Sequence, residues 1–266
     1  MKKKTTGKAY YLILITAALI LLFAATGVKN MFYRNRVQYS GENSPVENIP
    51  HADLTISDQI LLGAREEVKR KTRYDAAYRE ISYPGGDIDP ARGACTDVII
   101  RALRAAGFDL QVLIHEDMCD HFDLYPQIWD LNNPDPNIDH RRTQNQICFF
   151  ERYGKKLTVG VTEDDLHEWA HGDFVYWRFP NGQQHTGVIS DRVNGRGVPL
   201  VIHNSSVARE EDCLLRWEII GHYRFPRQIQ QSAIDSMVYS VSPKAALSLA
   251  ERPAISSIAR GFFSRI

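Results

Sequence analysis

The stretch GDFVYWRFPNGQQHTGVISDRVNGRGVPLVIHNSS, residues 172–206, constrains the fold more than any other part of the chain. Three runs rich in β-branched and aromatic residues are divided by Asn181-Gly182 and Asn194-Gly195, dipeptides that tolerate the positive φ of tight hairpins. The reading is an antiparallel meander. His185 opens its second strand and His203 closes its third, so two imidazoles lie on adjacent strands where one can orient the other. Asn204 is the fallback for His203, but strand alternation turns it to the opposite face. GHYRFP, from Gly221, reads as a final edge strand with Tyr223 and Phe225 on one face.

GACTDVIIRALRAAGFDL, from Gly93, is the best-formed helix signal. Val98, Ile99, Ala102, Leu103 and Ala106 recur at helical spacing, Arg101 and Arg104 fall on the other side, and Gly107 supplies the stop. Cys95 falls in the first turn. Unpaired backbone N–H groups and the helix dipole favour a thiolate there, so the sulfur is expected to ionise below its ordinary value of about 8.5. The alternative for such a cysteine is plain burial, and for a lone strand histidine a structural role. A cysteine at a helix start followed by two strand histidines is less common, and it suits nucleophilic catalysis.

These residues resemble the NlpC family of bacterial cell-wall cysteine peptidases in order and spacing from about Ser82 to Asn204. Tyr83-Pro84-Gly85-Gly86 resembles its Tyr-x-x-Gly-Gly region and GACTDVI its Asp-Cys-Ser-Gly nucleophile turn. Gly172-Asp173 before FVYW resembles its Gly-Asp-Leu strand start, and HTGVIS its His-Val-Gly-Ile strand. Ala94 and Thr96-Asp97 depart from the family's pattern around the nucleophile. The resemblance implies an α+β, papain-like fold in which the nucleophile's helix packs on an antiparallel sheet. It implies amide hydrolysis through a thioester, with Cys95 as nucleophile, His185 as acid and base, His203 orienting His185, and the Tyr83 hydroxyl aiding the oxyanion. The implied substrate is the stem peptide of peptidoglycan, and no cofactor or metal is required. The phrases LIHEDMCDHFDLYP and NIDHRRTQNQICFFERYG, in a long insert between helix and sheet, look like an uncharacterised branch of that superfamily, a domain of unknown function.

HEWAH, residues 167–171, raises a competing zinc-peptidase reading, because His-Glu-x-x-His on a helix brings His167 and His171 onto one face with Glu168 beside the metal. Gly172-Asp173 begins a strand at once, so a helix here spans only about two turns. The preferred reading is a solvated helix end with Trp169 packed inward and His171 capping the last turn. In the insert, His115 and Asp117 are read as polar loop residues lining the cleft, with Tyr125 and Trp129 packed beneath. Arg141 and Arg142 are read either as forks for substrate carboxylates or as ion-pair partners of the acidic HEDMCD loop. Cys95, Cys119, Cys148 and Cys213 share no CxxC spacing, and Cys119 with Cys148 is the pairing considered for a disulfide.

Lys2, Lys3, Lys4 and Lys8 precede an uncharged, mostly apolar run from Ala9 to Val28, long enough to cross a hydrocarbon core of about 30 Å. Residues 1–28 are therefore read as an uncleaved membrane anchor, with the lysines in the cytoplasm and the rest extracytoplasmic, or periplasmic. Residues 29–52 read as a linker, 53–227 as the hydrolase domain and 228–266 as a loosely attached tail. A third reading is an inactive wall-binding domain. Thirty-two basic residues balance thirty-two acidic ones, which gives no electrostatic footprint for nucleic acid.

Overall fold

A helical layer packs on one face of an antiparallel sheet in the computed structural model, which describes residues 44–227. The proposed anchor, residues 29–43 of the linker and the tail from 228 lie outside the described residues. Among those described, no helix is long and apolar enough to cross a membrane. Among the described residues the four α-helices are α1 (Ile56–Arg70), α2 (Cys95–Ala105), α3 (Leu110–His121) and α4 (Thr143–Tyr153). Helix α1 begins in a reciprocal cap: the Asp58 N–H donates to the Thr55 hydroxyl oxygen at 3.2 Å, and the Thr55 N–H donates to the Asp58 carboxylate at 2.8 Å. Helix α2 has half of that device, the Ala94 N–H donating to the Asp97 carboxylate at 2.6 Å. Its apolar stripe of Val98, Ile99, Ala102 and Leu103 is fully buried, and Gly107, at φ 88°, lets the Phe108 N–H reach back to the Leu103 carbonyl.

The strands are β1 (Arg73–Tyr74), β2 (Arg92–Gly93), β3 (Lys155–Lys156), β4 (Phe174–Arg178), β5 (Gln184–Val193), β6 (Pro199–Asn204), β7 (Ala208–Glu211) and β8 (Glu218–Arg224). Strands β1 and β2 form a small parallel pair. The other six form one sheet in the order β3-β8-β4-β5-β6-β7, antiparallel throughout. The expected meander is β4-β5-β6. Strand β8 lies between β3 and β4 rather than at the edge, because the two-residue β3 pairs with its outer side. In the β5–β6 loop the positive φ falls at Gly197, not Gly195.

Strand alternation divides the side chains between two faces. Phe174, Tyr176 and Tyr223 point to the helical layer and cluster around Phe150 of α4. Val175, Trp177, Ile189 and Val201 point the other way, into a buried cluster with Leu166, Trp169, Val198, Cys213 and Leu214. His185 and His203 share that second face, against Trp177.

Several expectations need correction. LIHEDMCDHFD is not a loop: Asp109 caps it and it forms α3, with Leu110, Ile114 and Met118 buried. HEWAH lies in successive turns outside any helix. There the His167 Nδ1 sits 2.7 Å from the Asp164 carbonyl, and the His171 Nε2 sits 2.8 Å from the Asp58 carboxylate of α1 instead of capping its own turn. Trp169 does pack inward, stacked on His222 with ring centroids 3.7 Å apart. The described part of the segment read as linker, residues 44–52, carries a short 3-10 turn at Val46–Asn48 and most of a second at His51–Asp53, with Ser44 and Val46 buried. All four cysteines are free.

Candidate active site

Cys95 faces the sheet near Tyr176 of β4 and the peptide link between His185 and Thr186 of β5. Its sulfur is directed toward the Thr186 N–H and toward the backbone N–H groups of Cys95 and Thr96 at the start of α2. Asn204, from the end of β6, fixes this approach by donating to the Gly93 carbonyl at 2.8 Å and the Thr72 carbonyl at 3.2 Å. Cys95 and Asn204 therefore belong to the helical side, while the rings of His185 and His203 project from the other side of the same strands.

The two histidines form a chain that ends in a carboxylate. His185 Nε2 lies 2.8 Å from His203 Nδ1, and His203 Nε2 lies 2.8 Å from Glu211 Oε1. Arg216 donates to the same Glu211 oxygen at 2.8 Å. Although partial burial opposes it, Arg216 and His203 hold the Glu211 carboxyl below the usual glutamate range. An ionised carboxylate only accepts, so the proton of neutral His203 is on Nε2 and its Nδ1 accepts. His185 must then carry its proton on Nε2. Its Nδ1 is left with a lone pair, the form a general base needs.

Burial dominates the charges. Cys95 is 5% exposed and burial pushes its thiol up to about 11, with the Thr186, Thr96 and Cys95 amides pulling only partly the other way. This corrects the expectation of a thiol ionised by its helix end. Burial among Trp177, Phe179 and Trp217, followed by the neighbouring His203, takes His185 down to about 3. The resting pair is a neutral thiol and a neutral imidazole.

Other candidate residues lie elsewhere. Tyr83 is 41% exposed and meets His115 edge-on, with ring centroids 4.9 Å apart. Burial, then the charges of Glu116 and Cys119 on α3, pushes its hydroxyl up to about 12. Tyr74 on β1, paired with Gly93, and Tyr176 on β4 are tyrosines whose hydroxyls are pushed up by burial first and by the Cys95 charge as a lesser cause. Arg141 is not available to a substrate. It grips Asp97 with two bonds of 2.9 Å and donates to the Ala77 and Asp75 carbonyls, tying the β1 end to the start of α2. Arg142 pairs with Asp139 at 2.8 Å and lies over Trp129, so neither arginine binds the HEDMCD segment. That segment's Asp117 is also internal, bound by Arg152, Tyr125 and Tyr153. His115 Nε2 lies 3.8 Å from the Cys119 sulfur.

A family model described as Domain of unknown function (DUF1287) matches residues 61–225. The chain belongs to the DUF1287 family. The match takes in all four helices except the first turn of α1, and the whole sheet. The chain is also similar to the Uncharacterized protein YijF of Escherichia coli (strain K12), at 46% identity over 176 residues, 66% of this chain and 82% of that protein. No solved structure matches.

Proposed function

We propose that this chain is an extracytoplasmic thiol hydrolase with a papain-like, NlpC-type domain, anchored through residues 9–28 and cleaving an amide bond in peptidoglycan stem peptides. The observation that carries the reading is the hydrogen-bonded chain His185–His203–Glu211, whose first residue is joined to the Thr186 amide that Cys95 faces from the other side of β5. At rest the His185 ring projects from the opposite side of β5 to Cys95, so the reaction requires it to turn toward the sulfur, and its Nδ1 then takes the thiol proton as sulfur attacks the carbonyl. Each group is costly to charge alone, but the transfer creates thiolate and imidazolium together, and their attraction offsets part of the cost of withdrawing each from water. The Cys95 and Thr96 N–H groups face the forming oxyanion, in place of the Tyr83 hydroxyl. The amine leaves with the proton from His185, and water, deprotonated by the same nitrogen, resolves the thioester.

The test uses the full-length protein in detergent, incubated with purified muropeptides and followed by mass spectrometry. Cleavage is expected, with an acid-trapped acyl adduct on Cys95, complete loss in Cys95→Ser and no loss with a chelator. Turnover that survives Cys95→Ser, or that a chelator abolishes, would sink the reading. The deep burial of both Cys95 and His185 supports a second reading, a wall-binding domain without turnover. Muropeptide binding with no cleavage under any condition would establish that one.

A further inference from the structure

We propose that His203, Glu211 and Cys213 form a binding site for a soft divalent cation such as zinc, and that filling it switches off the Cys95–His185 pair by reversing the tautomers along the histidine chain. The second half of this rests on the hydrolase reading. The first half does not.

One donor atom from each of the three residues lies within 4.8 Å of the other two. On this side the imidazole donor is Nε2, since Nδ1 faces His185. An imidazole nitrogen, a carboxylate oxygen and a thiolate sulfur are the donors zinc takes, at bond lengths of about 2.0–2.3 Å, and three protein ligands leave a fourth position for water. Tetrahedral geometry at those lengths separates the donors by roughly 3.3–3.8 Å, which asks only for small side-chain rotations. Register explains the convergence. Val201 pairs with Glu211 and His203 with Arg209, so Glu211 lies diagonally across from His203 on one face, and Cys213 follows just beyond the strand end. Cys213 is a buried thiol that the proposed hydrolysis does not use. The resident cation is Arg216, paired with Glu211 at 2.8 Å on a side chain 43% exposed. A metal would displace its guanidinium toward solvent.

The proton balance gives the consequence. Coordination takes the Cys213 thiol proton into solvent. At His203 the metal occupies Nε2, so the ring proton moves to Nδ1, which becomes a donor. His185 Nε2 must then accept, and the His185 proton moves to Nδ1. That nitrogen was the base, and in the loaded protein it has no lone pair for the Cys95 proton.

Cobalt(II) titrated into the full-length protein reads the site directly. A thiolate-to-cobalt charge-transfer band should grow to one equivalent and disappear in Cys213→Ser. Affinity should fall about 10–100-fold in Glu211→Gln and rise in Arg216→Gln, where the competing cation is gone; a purely structural Arg216 would give no such rise. Absence of the band in the wild type, or its persistence in Cys213→Ser, would overturn the site. Zinc at saturating levels should then slow both muropeptide cleavage and iodoacetamide labelling of Cys95 at least tenfold. In Cys213→Ser, measured against that variant's own metal-free rates, it should have no effect. A loaded site that leaves both rates unchanged would overturn the switch. A protein without turnover in the metal-free state would instead count against the hydrolase reading, with the cobalt band still deciding the site and the labelling rate the switch.

Discussion

Cys95 shows two effects in competition at one atom. A helix N-terminus favours an anion by at most about 2 kcal/mol, while withdrawing an ion from water costs several kcal/mol. With the sulfur 5% exposed, burial wins and the thiol is held near 11. Labelling of Cys95 by iodoacetamide in the metal-free, substrate-free protein is accordingly expected to keep climbing above pH 9, as followed by peptide mass spectrometry; a plateau below pH 8 would contradict it. The placement of Cys95 at a helix start and of His185 and His203 near strand ends was legible because the local sequence marks those positions. Glu211 and Tyr74 were not, since each joins the site only through the pairing of β7 with β6 or of β1 with β2. Arg141 and Asp117 read as candidate ligands for the same reason. The partners that absorb them, Asp97 and Arg152, are 44 and 35 residues distant in the chain.

Among the elements, α2 and the β4-β5-β6 meander carry clean periodicity and were readable from their residues alone. Helix α3 was not, because Asp117 occupies an inward position that a pattern search scores as polar and only Arg152, Tyr125 and Tyr153 make tenable. Placement of Cys95 depends on how closely α1 lies against α2. Gly63 sets that distance: a Cβ there would come within 2.6 Å of the Ala105 Cβ and 3.0 Å of the Ala102 Cα. Gly63→Val should push the helices apart and cost about 1–3 kcal/mol, seen as a lower urea midpoint with unchanged slope. A wild-type midpoint would mean that the helices are not in close contact there.

For the whole molecule, buried neutral histidines make acid the weak direction, His185 and His140 above all. His185 and His140 are each held down to about 3, mainly by burial, with His203 adding to the first and Arg104 and Arg141 to the second. A histidine lowered in the folded state leaves stability intact above its unfolded value of about 6.5 and removes it as pH falls from there toward 3. Between pH 7 and 5, where carboxylates contribute little, each should remove roughly 2 kcal/mol. Urea titrations at the two pH values check this, and His140→Gln should recover roughly 2 kcal/mol of the difference. An equal loss in that variant would show that His140 does not titrate with folding.

Ser44, the first of the described residues, is clasped by Arg65 and Asp191 near the far end of β5. Five residues of that strand, about 17 Å at its usual rise, separate this clasp from the Thr186 amide. If residues 9–28 are embedded in a bilayer, the domain hangs from one end of β5 and presents its sulfur at the other. Deleting residues from 29–43 would then restrict how far into the wall the chemistry extends without turning it back toward the lipid.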